Sequence, residues 1–76
     1  MNVLVLGKGG REHSLCYNLK KSKKISNLWC MPGNAGINRI AKFSNLNTDD
    51  NYSILDFCIK KKINLVIPGS EEFLAK

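Results

Sequence analysis

The stretch Gly7-Lys8-Gly9-Gly10-Arg11-Glu12-His13 constrains this chain more than any other. It follows the apolar run Val3-Leu4-Val5-Leu6 and leads into residues with helical spacing. An apolar strand, a glycine turn and a helix, in that order, aim free backbone N–H groups at a phosphate. Glycines let the chain turn sharply and let a ligand approach the backbone closely. The helix N-terminus adds unpaired donors and roughly half a positive charge. The order therefore implies a phosphate-bearing ligand at the end of the first strand.

The remaining residues repeat the same alternation. Residues 1–6 read as a strand buried on both faces, as in a parallel sheet. Residues 11–22 read as a helix with Leu15, Cys16 and Leu19 on its apolar stripe. Leu28-Trp29-Cys30-Met31 is a second short strand, and Pro32-Gly33-Asn34-Ala35-Gly36 breaks it with turn residues. Ile37, Ile40 and Ala41 support one helical turn, and residues 43–46 are a candidate short strand. Thr48-Asp49-Asp50 is an N-cap cluster for a helix over residues 51–62 that buries Ile54, Leu55, Cys58 and Ile59. Residues 63–67 form a further buried strand, ended by Pro68-Gly69.

Strands alternating with helices predict an α/β fold: a parallel sheet with right-handed crossovers, one mononucleotide-binding half of a doubly wound domain. Ligands of such sheets bind beyond the carboxyl ends of the strands. Three loops follow strand ends here, at residues 7–13, 32–36 and 68–72, and together they form the expected site.

At 76 residues the chain is one small domain. A domain of about 60 residues buries only about 60% of the surface its unfolded chain exposes. The final residues, Glu71-Glu72-Phe73-Leu74-Ala75-Lys76, add no closing element, so we expect residues 1–76 to be part of a longer protein. No apolar run approaches the roughly 20 residues of a membrane span, and no secretory signal opens the chain. Cys16, Cys30 and Cys58 form no Cys-x-x-Cys pair, and His13 is the only histidine. That pattern argues against zinc and against a disulfide framework. Reduced thiols and a cytoplasmic location are the expectation. Cys16 and Cys58 sit in apolar patterns and read as core filler.

The formal charge of +6 invites a nucleic-acid partner, but the positions argue otherwise. Lys20, Lys21, Lys23 and Lys24 follow the first helix, and Lys60, Lys61 and Lys62 end the second. Cations there complement the helix dipole, and no aromatic residues interleave with them as in single-strand binding.

The glycine loop has competitors. A dinucleotide site needs Gly-x-Gly-x-x-Gly and an acidic residue about 20 positions on. Gly7 and Gly9 match, but Glu12 stands in the third glycine's place, and Cys30 and Met31 occupy the second strand's end. An NAD-type oxidoreductase half is therefore disfavoured. A P-loop would need Gly-Lys-Ser/Thr, which is absent. Gly9-Gly10-Arg11 suits a single phosphate monoester, with two flexible amides and a guanidinium. The bland alternatives are that the glycines only permit tight packing, that Arg11 is a solvated helix-start residue, and that Glu12 caps the first turn. His13 lacks a partner for acid–base work, and no residue is assigned a catalytic role.

These residues carry a family resemblance. Gly7 to Leu15 resembles the opening Gly-x-Gly-Gly-Arg-Glu-His-Ala-Leu of the phosphoribosylamine–glycine ligases, also called glycinamide ribonucleotide synthetases. Pro32-Gly33-Asn34-Ala35-Gly36 is similar to that family's Pro-Gly-Asn-x-Gly loop. Pro68-Gly69-Ser70-Glu71 stands where the family has Val-Gly-Pro-Glu, with Pro68, Ser70 and Phe73 departing from the pattern.

The resemblance implies an ATP-grasp ligase that joins 5-phosphoribosylamine to glycine in purine synthesis, through an acyl phosphate. It implies that this domain is the Rossmann-like, pre-ATP-grasp part that helps hold the phosphoribosylamine. It places ATP and Mg2+ (or Mn2+) in the remaining domains of the same chain. The expected substrate contacts are Gly9, Gly10, Arg11, Asn34 and Glu71, with Glu71 accepting from ribose hydroxyls. No metal ligand is expected among these residues. The alternative from another class is a phosphate- or nucleotide-binding module that works alone.

Overall fold

The computed structural model describes residues 1–44 and 46–68. The elements are β1 (Asn2–Gly7), α1 (Gly10–Lys20), β2 (Asn27–Pro32), a single 3₁₀ turn (Ile37–Arg39), α2 (Asn51–Lys60) and β3 (Leu65–Pro68). The three strands form one parallel sheet in the order β2-β1-β3. Leu4 lies opposite Trp29 on one side and Val66 on the other. This is the predicted Rossmann-like α/β arrangement.

The centre of the sheet is β1 because its apolar residues run without interruption. Val3, Leu4 and Val5 are fully buried. Alternation along the strand sends Val3 and Val5 to one face and Leu4 and Leu6 to the other. The first face packs with Cys16 of α1, Cys30 and Ile37. The second packs with Met31 and Phe57 of α2. Two small cores, one on each face, hold the sheet between the helices.

Helix α2 starts and stops by local chemistry. Asp50 caps α2: one carboxylate oxygen accepts from Tyr52 N at 3.0 Å and the other from Ser53 Oγ at 3.0 Å. At the far end Lys62 takes the left-handed conformation, with φ of 53°. Ile63 N donates to Cys58 O at 2.9 Å and Lys62 N to Ile59 O at 3.3 Å. That double bond is a Schellman cap. It stops α2 at Lys60 rather than at the expected Lys62, and it uses Ile63 to close the helix, so β3 begins at Leu65.

Three further expectations are corrected. The buried residue of α2 is Phe57, whereas Leu55 and Ile59 are 57% and 68% exposed. Phe57 reaches across to Trp29, edge to face, with ring centroids 5.0 Å apart, and this contact rotates the helix away from the Leu55–Ile59 stripe. Leu65 and Val66 of β3 are also exposed, because both helices sit over β1 and β2 rather than over the β3 edge. Of the extra strand expected over residues 43–46, the described residues hold only a single parallel bridge, from the preceding Lys42 to Trp29, with Phe43 exposed. Lys42 N donates to Leu28 O at 2.8 Å, and Lys42 O accepts from Cys30 N at 3.2 Å. Among the described residues no helix is long and apolar enough to cross a membrane.

Candidate functional site

The loops after β1 and β2 meet at the carboxyl end of the sheet. Gly33 N donates to Gly7 O at 2.9 Å. Asn34 Nδ2 donates to the Lys8 carbonyl at 2.6 Å, and Asn34 Oδ1 accepts from Ile37 N at 2.9 Å. Asn34 thus ties the glycine turn to the second loop and caps the 3₁₀ turn with one side chain. Gly33 has φ of +69°, and a Cβ there would stand 2.7 Å from Asn38 Oδ1. Gly36 lies against His13: a Cβ would stand 2.9 Å from its Cε1. His13 therefore serves as a packing surface between α1 and the second loop.

Gly9, the N-cap of α1, has extended backbone and no side-chain cap. The first helical bond runs from His13 N to Gly9 O at 3.0 Å. The N–H groups of Gly10, Arg11 and Glu12 are the helix donors that precede it. A Cβ added at Gly10 would meet nothing within 4 Å, so that side of the turn is open. Gly9, Gly10 and Arg11 accordingly come together at one helix N-terminus. Asn34 stands beside them with its side chain engaged in the clasp. Glu71 and the rest of the third loop, after Pro68, lie outside the described residues.

Sequence reasoning gave Glu12 too small a part. Its side chain folds back under the end of β1 and is only 6% exposed. A Cβ on Gly7 would collide with its Cγ and stand 2.6 Å from its Cδ, and one on Gly9 would stand 3.2 Å from Oε2. The absence of a side chain at Gly7 is what makes room for a carboxylate in the third-glycine position. The signal was present as a pairing, a glycine at the strand end and a glutamate in the first helical turn.

Arg11, Glu12, Leu15 and Pro68 line a hollow of about 240 Å³ beside the turn. The turn therefore has two sides. The Gly7–Gly9 side holds a carboxylate, which repels a second anion. The Gly10–Arg11 side has free amides and a guanidinium.

Beneath the turn, Cys30 Sγ donates to Gly7 O at 3.6 Å. Its hydrogen bond with Cys16 and its burial push the Cys30 thiol well above the ordinary range. Burial also pushes Cys58 up. These thiols are inert packing groups.

Comparison with known proteins bears on the whole chain. Residues 1–76 match the family model described as "Phosphoribosylglycinamide synthetase, N domain". The chain is 44% identical over 71 residues to a protein of Mesorhizobium japonicum named phosphoribosylamine–glycine ligase. It is 42% identical over 73 residues to one of that name from Synechocystis, and 38% identical over 71 residues to one from Caldanaerobacter subterraneus. Each alignment covers 93% of this chain and 17% of the relative's length.

Proposed function

The chain belongs to the phosphoribosylglycinamide synthetase N-domain family, and from that premise we propose that it is the substrate-positioning part of a ligase that joins 5-phosphoribosylamine to glycine. The single observation that carries this reading is the N-terminus of α1 at Gly10–Arg11, which no side chain of its N-cap occupies, with a hollow lined by Arg11, Glu12, Leu15 and Pro68 beside it. Free amides, a helix dipole and one guanidinium suit a phosphate monoester. The 5-phosphate of a ribosylamine is such a group.

In this reading the domain does no bond chemistry. It holds the sugar phosphate so that the amine meets an activated glycine carboxylate, and positioning of that kind supplies a large share of rate. Activation of the carboxylate uses ATP and Mg2+, which the remaining domains of a longer chain would hold. Purine synthesis in the cytoplasm is the corresponding setting.

The test is ligand titration followed through backbone amide resonances. Ribose 5-phosphate is expected to move Gly9, Gly10 and Arg11, whereas NAD leaves them in place. Gly10→Val is expected to keep the fold, because its side chain enters open space, and to abolish the response. Resonances that stay still in the wild type, or a response undiminished in a folded Gly10→Val variant, would sink the assignment.

A further inference from the structure

Glu12 is a charged group in the interior for which the described residues offer no partner. It is 6% exposed, and no side-chain hydrogen bond among the described residues involves it. The ion pair among the described residues, Lys60 with Asp56, lies elsewhere. A buried carboxylate needs donors to remain charged. No side-chain polar atom of the described residues is both fully buried and unpartnered, so the Glu12 oxygens reach outward. The hollow that Glu12 lines with Arg11, Leu15 and Pro68 has about 240 Å³, room for about eight waters.

We infer that Glu12 is the acceptor for the vicinal hydroxyls of a sugar phosphate whose phosphate rests on the Gly10 and Arg11 amides. This rests on the sugar-phosphate reading above and adds to it a residue that recognises the sugar. A carboxylate has two oxygens and accepts a diol in two charge-assisted hydrogen bonds. Dinucleotide sites use an acidic residue after the second strand for this purpose; here Met31 and Pro32 occupy that strand end. Glu12 is instead one residue from Arg11 and packed against Gly7. Its charge also sets direction. Phosphate is repelled from the Gly7–Gly9 side and hydroxyls are drawn to it, so the sugar enters in one orientation.

The experiment compares ribose 5-phosphate, 2-deoxyribose 5-phosphate and inorganic phosphate as ligands of the wild type and of Glu12→Gln. The wild type is expected to prefer ribose 5-phosphate over its 2-deoxy analogue by roughly tenfold. Glu12→Gln is expected to lose that preference and to bind inorganic phosphate as well as the wild type or better. A measurement on the unsubstituted chain guards against misfolding of the variant: the Glu12 carboxyl carbon resonance moves with ribose 5-phosphate and not with inorganic phosphate. A folded Glu12→Gln that keeps the preference for ribose, or a carboxyl resonance that ignores the sugar, overturns the role of Glu12 while leaving the phosphate reading intact. Gly10 and Arg11 amides that respond to none of the three ligands overturn the phosphate reading itself, and the Glu12 inference falls with it.

Discussion

Asn34 Nδ2 donates to the carbonyl of Lys8 at 2.6 Å, across 26 positions of sequence. The same side chain accepts from Ile37 N at 2.9 Å. One residue therefore holds the two loops that flank the candidate site, and the glycine turn takes its shape from the second loop as much as from its own residues.

Asn34→Ala removes both bonds, and each is worth about 0.5–1.5 kcal/mol. The expected loss is about 1–3 kcal/mol, read by chemical denaturation. Asn34→Asp keeps the acceptor for Ile37 N but cannot donate to Lys8, so it should fall between the two. A wild-type midpoint for Asn34→Ala would remove the clasp from the account.

Gly7 and Glu12 should be energetically coupled. Gly7→Ala puts a methyl group into the Glu12 side chain, and overpacking of this kind costs about 1–3 kcal/mol. In a Glu12→Ala background the same change should cost less, with a coupling of about 1 kcal/mol or more in the double-mutant cycle. Additive effects would mean that the carboxylate does not occupy the space at Gly7.

On α2, Phe57→Ala should cost about 3–5 kcal/mol through the lost core contact with Trp29. Ile59→Ala, at a position 68% exposed, should stay within about 0.5 kcal/mol. The reverse ranking in thermal denaturation would restore the apolar stripe read from the sequence.

Alkaline pH should destabilise the fold. Cys30 keeps its proton in the folded state because its bond to Cys16 and its burial raise its pKa, whereas an unfolded thiol ionises near about 8.5. Above that point the folded state binds more protons than the unfolded one, so stability falls as pH rises, by up to about 1.4 kcal/mol per pH unit per thiol. Below about pH 8 the contribution is intact. Cys58, raised by burial, acts in the same sense, whereas the bond with Cys30 lowers Cys16, which offsets part of the fall. Denaturation midpoints at pH 7.5 and 9.5 check this, and the double variant Cys16→Ala/Cys30→Ala should show a shallower fall. An equal fall in the double variant would assign the effect to other groups.

The strand–turn–helix opening, the second strand, the single helical turn at Ile37 and the Asp50 cap were all legible in the sequence. Each rests on a short-range cause: an apolar run, a glycine pair, or an oxygen two residues from an amide. The same holds for the parallel sheet, since alternating strands and helices leave few other solutions. The gathering of Gly9, Gly10 and Arg11 at one helix start follows from their adjacency.

Only the tertiary structure decided which apolar side chains are covered and which polar ones are occupied. Periodicity marked Leu55 and Ile59 as core, but the ring contact between Phe57 and Trp29 turned α2 away from them. Leu65 and Val66 carry a buried strand's composition at an edge that neither helix covers. Asn34 gains its bonds to Lys8 and Ile37 only when the two loops meet, and Glu12, open to reading as a cap, is a buried carboxylate. In each case the deciding neighbour is held in place by the packing of whole elements: Trp29 against α2, Lys8 against the loop after β2, Gly7 beneath the first turn of α1. Local sequence sets the period and the turns of a chain, whereas burial is a property of what the completed fold brings alongside.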